Sequence, residues 1–442
     1  MTDKVCVIGA GASGITTVKT LLDKSIPFDC FEMGSDIGGN WRYNNDNNRS
    51  AAYRNLHIDT SKERMQFSDF PMPADFPNYP HHTQVLAYFE SYAAHFNLRP
   101  HITFRTQVIQ VKPSPTGGYT VTTQPVGGGA KQSTDYRAVL VCNGHHWNPR
   151  WPNFPGRFDG RMTHSRQYRD ALPYVDKRVL VIGVGNSGVD IACEVARVAQ
   201  RTCLSTRRSA YIIPRYILGR PTDKWLWEPI TRLPWPVQRL LYRLLLQIGV
   251  GNQENYGVPY PRHKLLSEHP TISADLLNLV SQGDISLKPN VAELCGDSVQ
   301  FEDGSREPID AIICATGYAI TFPFLDADLL PVDDNHVALY RHVAHPHHPG
   351  LYVIGLIQPL GAIMPLAELQ ARWVAGLLTG EMQLPDRATM ARAIVQEETA
   401  RRKRYVNSPR HTIQVDFYPY KRVLEREMRE GRRRAQPPAR QK

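Results

Sequence analysis

Twice in this chain a short apolar strand runs into a glycine-rich turn and then into a helical stretch, and that repeated grammar constrains the fold more than any other feature. The first instance is Val5-Cys6-Val7-Ile8, then Gly9-Ala10-Gly11-Ala12-Ser13-Gly14, helical spacing over Ile15 to Leu22, and a second strand, Phe28 to Phe31, closing at Glu32. The second is Lys177–Ile182, then Gly183-Val184-Gly185-Asn186-Ser187-Gly188, a helix from Val189 to about Ala199, and a strand Thr202–Ser205. In such a turn the first glycine permits the bend, the second lets a pyrophosphate approach, and the third packs helix on strand. The backbone N–H groups and the helix N-terminus then face the anion. Each segment is a βαβ unit of a parallel sheet. At 442 residues the chain exceeds what one core supports, so two to three domains are expected, and the two units make two of them dinucleotide-binding.

The two units differ where the ribose would lie. Glu32 stands 23 positions after Gly9, while the same count from Gly183 reaches Thr206, followed by Arg207 and Arg208. A carboxylate holds two ribose hydroxyls and repels a 2′-phosphate, whereas arginine accommodates that phosphate. The first site is therefore expected to take FAD or NAD, and the second NADPH.

The net charge of +10 raises the question of nucleic acid, but its location argues otherwise. From Arg401 onward there are fourteen Lys/Arg and four Asp/Glu, leaving 38 of each sign in the rest of the chain. Gly431-Arg432-Arg433-Arg434 with Pro437-Pro438 reads as a frayed, solvated tail, and the Arg-rich helix faces after Glu397 as solvated or part of an oligomer interface, with a homodimer possible. Seven scattered cysteines form no CxxC pair, so neither a dithiol mechanism nor a disulfide framework is expected. No apolar run approaches the ~20 residues that span a bilayer. With no leader read at Met1-Thr2-Asp3-Lys4, a cytoplasmic location is expected. His342, His345, His347 and His348 lie among Pro346, Pro349 and Gly350 without cysteine partners, which favours a loop over a metal site.

Thr83–Phe96 has the spacing of an amphipathic helix, and Val108–Val111, Tyr119–Thr123 and Val139–Cys142 read as strands, a meander inserted into a parallel sheet. Residues 209–275 are rich in Trp, Pro and Arg; within them Gln238–Ile248 is an apolar helical stretch that covers the nicotinamide site, lies on a membrane surface, or is simply packed. Ser298–Glu302, Asp303-Gly304 and Arg306–Ile309 suggest a hairpin on a type I′ turn. Ala311–Cys314 and Leu351–Ile354 are expected to complete the first sheet.

Between the two units lies Phe158-Asp159-Gly160-Arg161-Met162-Thr163-His164-Ser165-Arg166-Gln167-Tyr168, which matches FxGxxxHxxxY. With Gly38-Gly39-Asn40-Trp41, Ala315-Thr316-Gly317-Tyr318 and Glu368-Leu369-Gln370-Ala371-Arg372-Trp373, it resembles the class B flavoprotein monooxygenases. Tyr168 in the last position is more similar to the flavin-containing monooxygenases than to the Baeyer–Villiger enzymes, which usually carry Trp there. The resemblance runs from Val5 to about Tyr420 and lacks the hydrophobic C-terminal anchor of the animal enzymes, as in a soluble, bacterial-type member.

The resemblance implies an α/β fold of two Rossmann-like, glutathione-reductase-like domains, with the NADP domain inserted in the FAD domain. Boundaries follow at 1–148 and 309–425 for the FAD domain, 149–308 for the NADPH domain, and 426–442 for the basic tail. It implies an enzyme of the N,N-dimethylaniline monooxygenase type. NADPH reduces FAD, O2 adds at the flavin C4a position, and a soft N or S atom of a small molecule takes the distal oxygen. Gly39, Asn40, Trp41, His57, Thr60 and Gln358 are then expected to line the cofactors beside Gly9, Gly11, Ser13, Gly14 and Glu32, and Gly183, Gly185, Asn186, Ser187, Gly188, Thr206, Arg207 and Arg208. His164 either acts directly or caps a turn. Where the family usually has Asn near flavin and nicotinamide, this chain has Asp59, taken as the catalytic residue. Ionised Asp accepts hydrogen bonds but cannot donate them. An acid there resembles the Baeyer–Villiger enzymes and keeps ketone oxygenation open as an alternative; a non-catalytic redox sensor is a third.

Overall fold

The computed structural model describes residues 3–225 and 228–436. They divide into two compact units, one holding residues up to Ser50, Lys62–Asn148 and those from Ala319 on, the other Ala51–Ser61 and Pro149–Tyr318.

In the first unit β1 (Val5–Ile8), α1 (Ala12–Asp23) and β2 (Phe28–Phe31) form the expected βαβ. The parallel sheet runs Leu351–Val353, Ala138–Val141, β1, β2, Ile102–Thr103. Every residue of β1 and of Ala138–Val141 is buried, which is why both read as unbroken apolar runs. The meander is a separate antiparallel sheet of Thr106–Pro113, Tyr119–Pro125 and Gln132–Tyr136. Its middle strand alternates, burying Tyr119, Val121 and Thr123. The helix over Thr83–Phe96 is observed as His82–His95, capped by the His81 side chain.

In the second unit β3 (Arg178–Ile182), α2 (Asn186–Val195) and β4 (Arg201–Ser205) repeat the grammar. Their parallel sheet runs Ile285–Lys288, β4, β3, Ala311–Cys314, Arg161–His164. Ala311–Cys314 therefore belongs to the second sheet, paired with β3 in the register Val179↔Ala311, and not to the first. An all-apolar strand announces burial on both faces; it carries nothing that names the sheet it joins.

Three further expectations are corrected. In the hairpin Ser298–Phe301 and Arg306–Pro308, only Gly304 of the Asp-Gly pair has positive φ, at 81°. Asp303 Oδ1 accepts from Ser305 N at 2.9 Å, a longer turn than the two-residue type I′. The basic C-terminal stretch is helical from Phe417 to Ala435, because Gly431 fits against Met382 and Gln383 and Arg434 bonds Glu427 and the Gln383 carbonyl. Pro437-Pro438 and the rest of that tail lie outside the described residues. Arg401, on the helix Arg387–Arg404, is buried on Glu398 and the His411 carbonyl, and Arg404 is tied to Asp416, so this face is paired internally and not simply solvated.

Among the described residues no helix is long and apolar enough to cross a membrane. The helix Trp235–Gly249 buries Gln238 and Tyr242 while Val237, Leu240, Leu241, Leu244 and Ile248 stay exposed, Ile248 by 70 %. Its apolar stripe faces outward.

Candidate active site

The first turn is shaped by close backbone approaches. Gly9 has φ +102°, and a Cβ there would stand 2.8 Å from the Cys142 carbonyl oxygen. Gly39, with φ +52°, comes so near Gly11 that a Cβ on it would lie 2.9 Å from the Gly11 Cα. Gly14 packs on the backbone of Gly9, and Ser13 lies against Gly355. Among the described residues no side chain caps α1 at Gly11, which leaves its first N–H groups for an anion. Glu32 is buried and immobilised: Oε2 accepts from Ala10 N at 2.7 Å, and Oε1 from Gly34 N at 2.7 Å and Asn47 Nδ2 at 3.1 Å. A carboxylate retains lone pairs beyond these three bonds, so ribose hydroxyls fit it. Asn40 and Trp41 form a single helical turn with Gly39, anchored by Ser50 Oγ donating to the Asn40 carbonyl at 2.8 Å. Gln358 opens the strand Gln358–Leu360, its N–H donating to the Ile413 carbonyl.

The second turn repeats this geometry. Gly183 has φ +112°, with the Ala315 carbonyl oxygen 2.5 Å from where a Cβ would be, and Gly188 packs on Gly183. Helix α2 begins at Gly185, again without a side-chain cap among the described residues. Asn186 is committed to the protein: its Oδ1 accepts from Ile272 N at 2.9 Å, while Thr271 Oγ1 donates to the Val184 carbonyl at 2.6 Å. Ser187 is exposed. Thr206 Oγ1 accepts from Ser209 N at 2.9 Å and folds the end of β4 so that Arg207 and Arg208 emerge into solvent. Arg208 lies 3.8 Å from Glu268. Two exposed guanidiniums beside an open helix start fit a phosphorylated ribose and its pyrophosphate.

Residues Ala51–Ser61 belong to this second unit as a strap held at alternate side chains. The Tyr53 hydroxyl donates to Asp190 Oδ2 at 2.8 Å, Asn55 Nδ2 to Glu194 Oε1 at 3.0 Å, and Ser61 N and Oγ to Asp223 Oδ2 at 2.8 and 2.7 Å. Asp59 Oδ1 lies 3.3 Å from Arg215 Nη2. Burial, reinforced by Asp190, pushes Asp59 up to about 7 against the pull of Arg215. His57 Nδ1 meets the Asn55 carbonyl at 2.8 Å, and Thr60 is buried. The motif 158–168 supports the strap, since the Tyr168 ring meets Tyr53 edge-on at 5.8 Å. His164 is fully buried as a turn cap: Nδ1 accepts from Arg166 N at 3.1 Å and Nε2 faces the Gly317 carbonyl at 3.1 Å, so the proton resides on Nε2.

The predicted residues thus gather into two sets, one in each unit, and His57, Asp59 and Thr60 fall in the second. Arg215, Asp190 and Thr271 were missed. Asp190 alone left a trace, a charge among the apolar Val189, Ile191 and Ala192. His345 Nδ1 accepts from His347 N and His348 N, which makes that cluster a turn; among the described residues no group of side chains could hold a metal. All seven cysteines are free.

Two glycine turns of one geometry, one followed by a fixed carboxylate and the other by two exposed guanidiniums, have the chemistry of a pair of dinucleotide cradles, as in a flavoprotein oxidoreductase. Comparison with known proteins places it further: the chain belongs to the flavin-binding monooxygenase-like family, whose model matches residues 2–429. It is 43 % identical to flavin-containing monooxygenase 5 of Rattus norvegicus, over 94 % of this chain and 80 % of that protein. It is 39 % identical to dimethylaniline monooxygenase [N-oxide-forming] 2 of Mus musculus, over 95 % of this chain and 81 % of that one. The S-allyl-L-cysteine S-oxygenase of Allium sativum superposes with a TM-score of 0.73 at 25 % identity, covering 97 % of this chain and 89 % of that structure. Open cyclohexanone monooxygenase shares the fold, with a TM-score of 0.72 at 17 % identity over 98 % and 99 % of the two chains. The protein is an FAD-dependent NADPH monooxygenase that uses O2 as co-substrate.

Proposed function

We propose that this enzyme oxygenates soft nucleophilic nitrogen or sulfur atoms of small molecules, with FAD held by the first unit and NADPH by the second. The observation that carries the assignment is the contrast between a buried, fixed Glu32 beyond the first turn and two exposed guanidiniums, Arg207 and Arg208, beyond the second. Bound FAD supplies hydride acceptance and oxygen activation, so the chain's own part is binding, orientation and exclusion of side reactions. Gly9, Gly11 and Gly39 let the turn close on the Cys142 backbone and on itself, which leaves the uncapped start of α1 for a pyrophosphate, and Glu32 holds the ribose. Arg207 and Arg208 select the phosphorylated reductant. Asp59, fixed by Arg215, supplies the polar group of the reacting site.

The relatives named for N- and S-oxygenation support this substrate class. The acidic Asp59, paired with arginine, favours ketone oxygenation as a second reading. Purified protein is expected to be yellow and to consume NADPH and O2 together in the presence of amines or thioethers, giving products heavier by one oxygen atom. Esters or lactones from ketones, with amines and thioethers inert, select the second reading. Colourless protein that does not take up added flavin overturns both.

A further inference from the structure

Asp59 on the strap and Asp190 on α2 face the same guanidinium. Arg215 Nη2 lies 3.3 Å from Asp59 Oδ1 and 3.9 Å from Asp190 Oδ1. The three side chains are 30 %, 24 % and 22 % exposed for Asp59, Asp190 and Arg215, so water screens the group only in part. One cation between two carboxylates leaves an excess negative charge, and like charges sharing a site drive one of them to keep its proton.

The partners decide which. Burial raises Asp190 as well, but Arg215, the Tyr53 hydroxyl at 2.8 Å and the field of His57 all pull it back. Among the described residues, Arg215 is the single hydrogen-bond partner of Asp59. The remaining charged groups around Asp190 are acidic: Glu194, one turn further along α2 and bonded to Asn55, and Asp275, which is paired with Arg197 at 2.7 Å.

We propose that Asp190 is a positioning residue: by sharing Arg215 it leaves Asp59 holding a proton, so that Asp59 presents an O–H donor where a carboxylate could only accept. The direction in which burial and Asp190 move Asp59, up to about 7, agrees with this arrangement. A protonated carboxyl both donates and accepts. It suits a carbonyl or amide group on cofactor or substrate, and the donor is lost as the pH rises past neutrality. The proton is taken from solvent. The two carboxyls titrate as a pair, and Asp190 sets which member carries the shared proton.

This inference rests on Asp59 as the polar group of the reacting site, but its test needs no turnover. In full-length protein labelled with 13C at aspartate carboxyls, the resonance lost in Asp59→Asn identifies Asp59. In the wild type its midpoint is expected near neutrality. In Asp190→Asn, which preserves volume and the Tyr53 contact, it is expected to fall by about one unit, a tenfold smaller protonated fraction at a given pH above the midpoint. Tyr53→Phe removes the donor to Asp190, lets Asp190 take the proton, and is expected to lower the Asp59 midpoint too. A wild-type midpoint in the ordinary carboxylate range, or one unmoved in both variants, overturns the proposal. Failure of the oxygenation reading shows instead as missing flavin or product, with this titration intact.

Discussion

Gly188 sits so near Gly183 that a Cβ on it would stand 1.9 Å from the Gly183 carbonyl oxygen, and Gly14 stands in the same relation to Gly9, also at 1.9 Å. The obstacle is backbone in both cases, so no side chain can swing away. Gly14→Ala and Gly188→Ala are each expected to destabilise the protein by about 1–3 kcal/mol, the usual cost of overpacking, seen as a lower Tm. They separate in function: Gly14→Ala lowers the flavin content, while Gly188→Ala keeps the flavin and raises KM for NADPH. Equal flavin loss in both variants contradicts the assignment of the turns.

Arg207 and Arg208 are exposed, and the ion pair of Arg208 with Glu268 is long at 3.8 Å, so their replacement should cost little stability. A hydrogen bond to a charged group contributes about 1.5–3 kcal/mol, or roughly 10- to 100-fold in binding. Arg207→Gln with Arg208→Gln is expected to raise KM for NADPH by at least that factor with KM for NADH unchanged. Steady-state kinetics with the two reductants decides it, and a parallel loss for both refutes the 2′-phosphate assignment.

Asp223 ends the strap by accepting both N–H and O–H of Ser61. Asp223→Ala strands these donors, at a cost of about 1–3 kcal/mol for each group that stays dry. The expected signature is faster proteolytic cleavage within residues 51–61 and a modest fall in Tm. Unchanged cleavage would mean that the strap is held chiefly by Tyr53 in the core.

His164 has a pH consequence. Burial pushes its imidazole down to about 4, so the folded protein holds it neutral. The unfolded chain titrates near 6.5 and therefore binds more protons between 6.5 and 4, which makes stability rise with pH across that window and level off above it. The loss on acidification is on the order of 3 kcal/mol from this residue. Denaturant titrations of wild type and His164→Gln should show a shallower slope below pH 6.5 in the variant.

How much of this was legible in the chain follows from the physics of each signal. The two turns are legible because strand burial and glycine spacing are local signals, and Glu32 and Thr206 stand at the same step of the two units, with Arg207 one residue beyond. The sheet that Ala311–Cys314 joins is not legible, because parallel pairing with Val179 and its neighbours is settled by partners far away in sequence. The C-terminal helix is hidden because Arg432–Arg434 read as solvent-loving, while the acid that pairs with Arg434, Glu427, sits two turns earlier in a basic run. Asp59 was singled out from the residues and the resemblance, but its setting was not: Arg215 lies in a stretch of Trp, Pro and Arg with no periodicity to announce which guanidinium turns inward.

The strap is synthesised early and used late. Ser61 leaves the ribosome 162 residues ahead of Asp223. At ordinary elongation rates that gap lasts roughly ten to thirty seconds. The partners of the strap arrive in order within that interval, Asp190 for Tyr53 137 residues on, Glu194 for Asn55 139 on and Arg215 for Asp59 156 on, so the eleven-residue strap waits through most of it. Ribosome pausing inside that interval would lengthen the exposure, so synonymous changes there bear on how much active enzyme a cell recovers.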